Sequence, residues 1–123
     1  MSSLAKHLYS KAKGRIQTDQ KEVTATSGTP DEIAVPPSGK KLCIQRIAVL
    51  PTTAGSDAAL TIEKFDGTTQ TALFTSLTCA VQNPTDMDLS SCPIILEADE
   101  KLRGYVATSG TVNVSVSSFI LDD

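Results

Sequence analysis

The sequence predicts an all-β fold, an antiparallel β-sandwich preceded by a short N-terminal arm or helix. Three observations carry that expectation. The first is a period of two in the last quarter of the chain. Val112, Val114 and Val116 fall on one side there and Thr111, Asn113 and Ser115 on the other, as a half-buried strand requires. With residues 102–107 before it and Thr108-Ser109-Gly110 between, this stretch reads as a β-hairpin. Gly110 takes the place that a G1-bulged loop gives to a residue tolerant of positive φ. The second is composition. Hydrophobic residues make up 40% of the 123, but aromatics only 4% with no Trp, so Val, Ile, Leu and Ala must fill the core while abundant Thr suits a pleated surface. The third is the regular recurrence of turn-forming clusters along the chain.

From the N-terminus, residues 1–20 read as a basic arm and residues 21–123 as one sandwich domain. Within the arm, Ser2 or Ser3 can cap a short helix with Leu4, Leu8 and Ala12 on one stripe, stopping near Gly14. A helix under ~12–15 residues needs outside contacts to persist, so the segment is either a frayed end or an arm that orders on a neighbouring subunit. Strand candidates follow at 22–27, 31–35, 41–50, 58–65, 71–77, a weaker 79–82, 94–97, 102–108 and 111–121. They are punctuated by Gly28-Thr29-Pro30, Pro36-Pro37-Ser38-Gly39, residues 52–56, Asp66-Gly67, Asn83-Pro84 and Asp99-Glu100. The longest candidate, 41–50, reads as apolar on both faces. A strict alternation puts Leu42, Ile44, Ala48 and Leu50 on one side and Cys43, Ile47 and Val49 on the other. A strand of that kind is central, and its second apolar face points to self-association as a dimer or trimer.

The net charge of −3 hides an asymmetry. Lys6, Lys11, Lys13, Arg15 and Lys21 against Asp19 give residues 1–21 a charge of +4, leaving 6 basic and 13 acidic groups, or −7, in the remainder. A basic arm can engage an acidic protein surface or nucleic acid, while an acidic body repels nucleic acid. Four arm charges with only Tyr9 available for stacking weigh against nucleic acid as the partner. The expected partner-binding residues are therefore Leu4, Lys6, Leu8, Tyr9, Lys11, Lys13 and Arg15, docking on protein.

Catalytic chemistry finds little to work with. The single histidine, His7, lies in the arm, so the body has no imidazole for a triad or general base. Phosphate-loop, dinucleotide and zinc-helix strings are missing, and no cofactor or metal is expected. Asp86-Met87-Asp88 could supply part of a calcium shell but reads as a solvated turn, and Asp99-Glu100 reads as an acidic β-turn rather than a glycosidase pair. Cys43, Cys79 and Cys92 form no C-x-x-C pair and read as buried small apolar residues in a reducing compartment. No apolar run is long enough to span a membrane, and no signal peptide is expected. The chain is expected not to be an enzyme.

Read from Val23 onward, the order of features resembles the small β-sandwich proteins of tailed-bacteriophage virions, especially the cement or decoration proteins that bind outside the head shell. The resemblance is carried by the strand ending in Val35-Pro36-Pro37-Ser38-Gly39-Lys40, the long apolar strand 41–50, the Asp66-Gly67 turn, and residues 93–102 before a closing hairpin. Pro51-Thr52-Thr53 replaces the family's asparagine-containing turn after the long strand. The resemblance implies a jelly-roll-like fold, homo-oligomers on symmetry axes, and arms that clasp neighbouring shell subunits. The implied partner is the major capsid protein or another virion protein. The implied location is the capsid surface of the virion, after synthesis in the host cytoplasm. The competing expectation is a sandwich binding module of a phage tail, neck or fibre that contacts a receptor or carbohydrate. The lack of Trp weighs against it.

Overall fold

In the computed structural model, residues 15–24, 28–51, 58–79, 85–106 and 110–122 are described, residue 58 and residues 75–79 by backbone alone. They form nine strands: β1 (Ile16–Val23), β2 (Asp31–Ala34), β3 (Lys40–Pro51), β4 (Ala58–Phe65), β5 (Gln70–Cys79), β6 (Thr85–Asp88), β7 (Ile94–Leu96), β8 (Lys101–Val106) and β9 (Val112–Asp122). One sheet runs β1-β9-β3-β6, with β7 beside β6 on the same edge of β3; the other runs β2-β8-β4-β5. Every pairing is antiparallel. The fold is the expected β-sandwich, and its strand order is that of a jelly roll.

The pairings are nested. β1 pairs β9, β2 pairs β8, β3 pairs β6 and β7, and β4 pairs β5. The chain is thus one long hairpin, doubled back at the β4–β5 turn and rolled so that its paired strands alternate between two sheets, the jelly-roll solution to packing two sheets face to face. At the tip, the Asp66 carboxylate accepts from the N–H groups of Thr68 and Thr69 at 2.9 and 2.7 Å, which holds it below the usual carboxylate range. Gly67 takes φ 99° there, a region that side chains disfavour. A second turn precedes β3, where the Lys40 N–H donates to the Pro37 carbonyl at 2.9 Å. Gly39 supplies its positive φ of 73°, as the third residue of a type II turn requires.

The expected hairpin over residues 102–116 does not form. β8 and β9 lie in different sheets, and Gly110, at φ 159°, is close to extended. Local alternation gives each strand its buried face but does not name its partner. In a rolled topology, strands adjacent in sequence cross from one sheet to the other.

β3 also departs from the expected faces. Its register against β9 passes from Ile44↔Ser118 to Arg46↔Ser117, leaving Gln45 as an extra, bulged residue. The bulge resets the alternation. Leu42, Ile44, Ile47 and Val49 all point inward and are fully or almost fully buried, whereas Leu50 is 38% exposed. One face of β3 is therefore core, and the second apolar face that implied self-association through Ile47 and Val49 is not there. Across from them, Leu60, Ile62, Leu102, Val106 and Ile33 complete the core from the second sheet, with Val23, Leu96, Val112, Val114 and Val116 on the first. No aromatic residue is among these fully buried side chains. Gly104 leaves room for Ile33, whose Cδ1 would lie 2.9 Å from any Cβ placed there.

β1 begins at Ile16, inside the stretch read as arm. Its eight residues pair throughout with β9, yet only Val23 is buried. An edge strand this polar shows no apolar alternation, so backbone pairing, invisible in composition, sets its start. β6 was similarly read as a turn. On the outer side of the second sheet, Arg103 donates to Glu63 at 2.8 Å and lies 3.8 Å from the Phe65 ring centroid. These side chains are 12% and 6% exposed, so the pair is nearly dry.

Two measurements of urea unfolding test this packing. Ile47→Ala is expected to lower stability by about 2–5 kcal/mol, while Leu50→Ala stays within about 0.5 kcal/mol; a strand without the bulge gives the reverse order. Glu63→Ala is expected to cost about 3 kcal/mol by leaving Arg103 unpaired, and the double change Glu63→Leu with Arg103→Met to recover most of it.

Candidate functional site

Of the expected partner-binding residues, Leu4, Lys6, Leu8, Tyr9, Lys11 and Lys13 lie outside the described residues, as does the short helix expected there. Arg15 is described. Its carbonyl accepts from the Ile120 N–H at 2.9 Å, continuing the β1–β9 ladder, and its guanidinium reaches Asp122 at 3.1 Å. Lys40 reaches the same carboxylate at 2.7 Å. The hydrogen bond from Lys40, then that from Arg15, holds Asp122 below its ordinary value. The arm thus enters the body at a fixed point, the start of β1, beside the C-terminal end of β9.

At that point the outer face of the first sheet carries an apolar row. Ile16 pairs Phe119, Phe119 pairs Cys43, and Cys43 pairs Ile95, so the four residues cross β1, β9, β3 and β7 in one line. Cys43 and Phe119 form a cluster separate from the main core, with Ile95 and Leu121 packed against it. Ile16, at 54% exposed, ends the row. The Gln45 bulge belongs to this site. Its side chain donates to the Cys43 sulfur at 3.1 Å, and its carbonyl accepts from the Leu89 N–H at 2.8 Å. Burial pushes the Cys43 thiol up, with the Gln45 hydrogen bond opposing.

An open groove of about 630 Å³ runs from this row toward β6. Ile16 and Phe119 line it on one side and Arg46, Asp86 and Asp88 on the other. Asp86 and Asp88 are strand residues on the outward face of β6, with the half-buried Met87 between them. The extended backbone replaces the turn expected for Asp86-Met87-Asp88. Arg46 holds Asp86 through two hydrogen bonds, one of 2.7 Å. Asp88 accepts from the Ser90 N–H at 2.9 Å, and the Ser90 backbone and hydroxyl keep it below the usual carboxylate range. Both acids are committed to protein partners, and among the described residues no three His, Cys, Asp or Glu side chains gather as metal ligands.

The remaining candidates resolve simply. Asp99-Glu100 forms the expected turn, with the Glu100 N–H donating to Glu97 at 3.0 Å and the Glu100 carboxylate facing Lys64 at 3.7 Å. Cys43 is buried as expected, but Cys92 is exposed. It lies in the loop between β6 and β7, pushed out where the edge strand is interrupted opposite the bulge. The Cys79 side chain lies outside the described residues. No helix among the described residues is long and apolar enough to cross a membrane. Sequence reasoning missed the groove, because its lining comes from four strands, β1, β9, β3 and β6. The one available signal was Ile16, a large apolar residue in an otherwise polar stretch, and Phe119, which breaks the polar outward series Asn113, Ser115, Ser117.

No protein-family model matches the chain, and no curated protein matches it. Among solved structures, a chain from one titled "Cyanophage Pam1 capsid asymmetric unit" is similar, with a TM-score of 0.40 and 15% sequence identity over 85% of this chain and 84% of that chain. The jelly-roll assignment rests on strand order and nested pairing, not on that likeness.

The Asp122 contacts predict a pH effect. A carboxylate whose folded value is depressed adds stability that is present above its unfolded value and lost as pH falls through the folded one. Asp122→Asn is therefore expected to flatten the fall of Tm with pH below 3.8, the ordinary value of the group. The change is small because the site is exposed, and scanning calorimetry across that range measures it.

Proposed function

We propose that the protein is a non-enzymatic structural component of a tailed-phage virion, and within it a capsid cement or decoration protein that binds the assembled head shell from outside. Jelly rolls serve capsids, lectins and cupins alike, so the fold alone does not choose among them. The observation that supports this reading best is the junction of arm and body. A segment bearing Leu4, Leu8, Lys6, Lys11 and Lys13 leaves a rigid sandwich at a point tied down by the Arg15–Ile120 and Arg15–Asp122 bonds. The family resemblance of the sequence adds to it.

The physics suits a clasp. A body held on one shell subunit presents its arm to the next at high effective concentration, so the two contacts reinforce each other. An arm that orders on docking would add contact area there, and its basic residues favour an acidic surface. The fibre reading fares less well at the groove, since a sugar normally stacks on an exposed aromatic face and Phe119 is 8% exposed. Homo-oligomers on shell symmetry axes belong to the same proposal, but β3 no longer supports them.

Mass spectrometry of purified particles provides the test. Copies in fixed proportion to the shell subunit are expected, and a few copies confined to the tail overturn the cement reading in favour of the fibre module. In a binding assay with isolated heads, the triple change Lys6→Glu, Lys11→Glu and Lys13→Glu is expected to weaken binding about tenfold or more at low salt, with the difference shrinking as salt rises.

A further inference from the structure

We infer that β1 is a strap that opens from β9 as a unit while the rest of the sandwich stays folded, lengthening the N-terminal segment by its own eight residues. The inference concerns the body of the molecule and does not depend on a virion role.

What holds β1 down is small for its length. The register sets Gln17, Asp19, Lys21 and Val23 at its inward positions, opposite Ser118, Val116, Val114 and Val112. Of the four only Val23 is buried, at 0% exposed. One apolar side chain must therefore offset the ordering of eight residues. The polar ties lie at exposed positions. Gln17 donates to the Val35 carbonyl at 3.1 Å, and Arg15 meets the Asp122 carboxylate, whose side chain is 70% exposed, a contact that water and salt weaken. At the far end the Thr24 N–H donates to Asp31 at 3.1 Å, which hinges the strap on the second sheet.

Topology lets β1 leave without moving another strand. Among the described residues no strand precedes it, and it pairs with β9 alone. The rim strands β2 and β6 have strands both before and after them. β9 keeps its ladder with β3 when β1 departs, and Val23 is the one buried side chain that goes with it. Opening frees about 26 Å of chain at ~3.3 Å per residue, and the segment before β1 gains that reach. The closed form stays the dominant one, and the open form is a local unfolding well below the cost of unfolding the core.

Hydrogen exchange of the full chain, followed amide by amide by NMR, reads the strap directly. The Ile120 N–H donates to the Arg15 carbonyl, and main-chain groups alternate sides along a strand. The amides of Val112, Val114, Val116 and Ser118 therefore face β1, whose Gln17, Asp19, Lys21 and Val23 amides face back. Those of Asn113, Ser115, Ser117 and Phe119 face β3. The β1–β9 set is expected to share one protection factor, roughly a hundredfold or more below that of the β3-facing set. Equal protection in the two sets overturns the inference, and so does a gradient along β1, which is fraying from one end. Ile62→Val, in the core on a strand that does not pair β1, weakens the whole fold. It is expected to speed the β3-facing amides about two- to tenfold and to leave the β1–β9 set unchanged. If both sets speed together, β1 opens only when the whole protein does, and the inference fails.

Discussion

The pairing of β3 with β9 is the constraint on which the rest of the molecule hangs. It joins Lys40 to Asp122 and Pro51 to Val112, residues 82 and 61 positions apart, and lies at the centre of its sheet. β1 has a partner only because β9 is in place, and β6 and β7 have theirs only because β3 is. The β1–β9 ladder joins residues still farther apart, Ile16 to Phe119, so β9 carries the two longest closures of its sheet. Among the described strands β4–β5 is the one pairing of sequence neighbours, and a topology dominated by non-local pairing is of the slow-folding kind.

The two sheets solve different problems with similar backbones. The first contributes a continuous inner surface of Leu, Ile and Val and turns polar at its β1 edge. The second is thinner in apolar side chains on its inner face and uses Gly104 to let Ile33 approach. It also holds the Glu63–Arg103 pair under Phe65 on its outer face. Burial of that pair is costly unless both charges stay matched, so it fixes the β4–β8 register more than it adds stability.

Much of this architecture was legible in the sequence. Strand β4 falls where alternation and flanking turns put it, β3 and β9 lie within a residue or two, and the all-β class follows from Thr, Val and the turn clusters. What escaped was information that a single strand does not carry. Gln45 looks like any polar residue, yet its bulge decides that Ile47 and Val49 share a face with Leu42 and Ile44. β1 and β6 are too polar for their alternation to show a buried face, since each sends little more than one apolar residue inward, Val23 and Met87. The β8–β9 connection has a hairpin's turn residues but joins two layers. The groove was hidden for the same reason, since Ile16 and Asp88 meet only through the register of β1, β9, β3 and β6.

An open sandwich must also keep its rims from pairing with stray strands, and here the four rims are unequally guarded. β2 is four residues long and bulged between Glu32 and Ala34. The β6–β7 rim is broken by the loop that carries Cys92, and β1 displays Asp19, Lys21 and Glu22. β5 is different. It runs for ten residues, Gln70–Cys79, without a charge or a proline, and among the described residues it pairs on one side only. By that rule β5 is the least guarded of the described rims, and the absence of charge along it is what a single lysine would change.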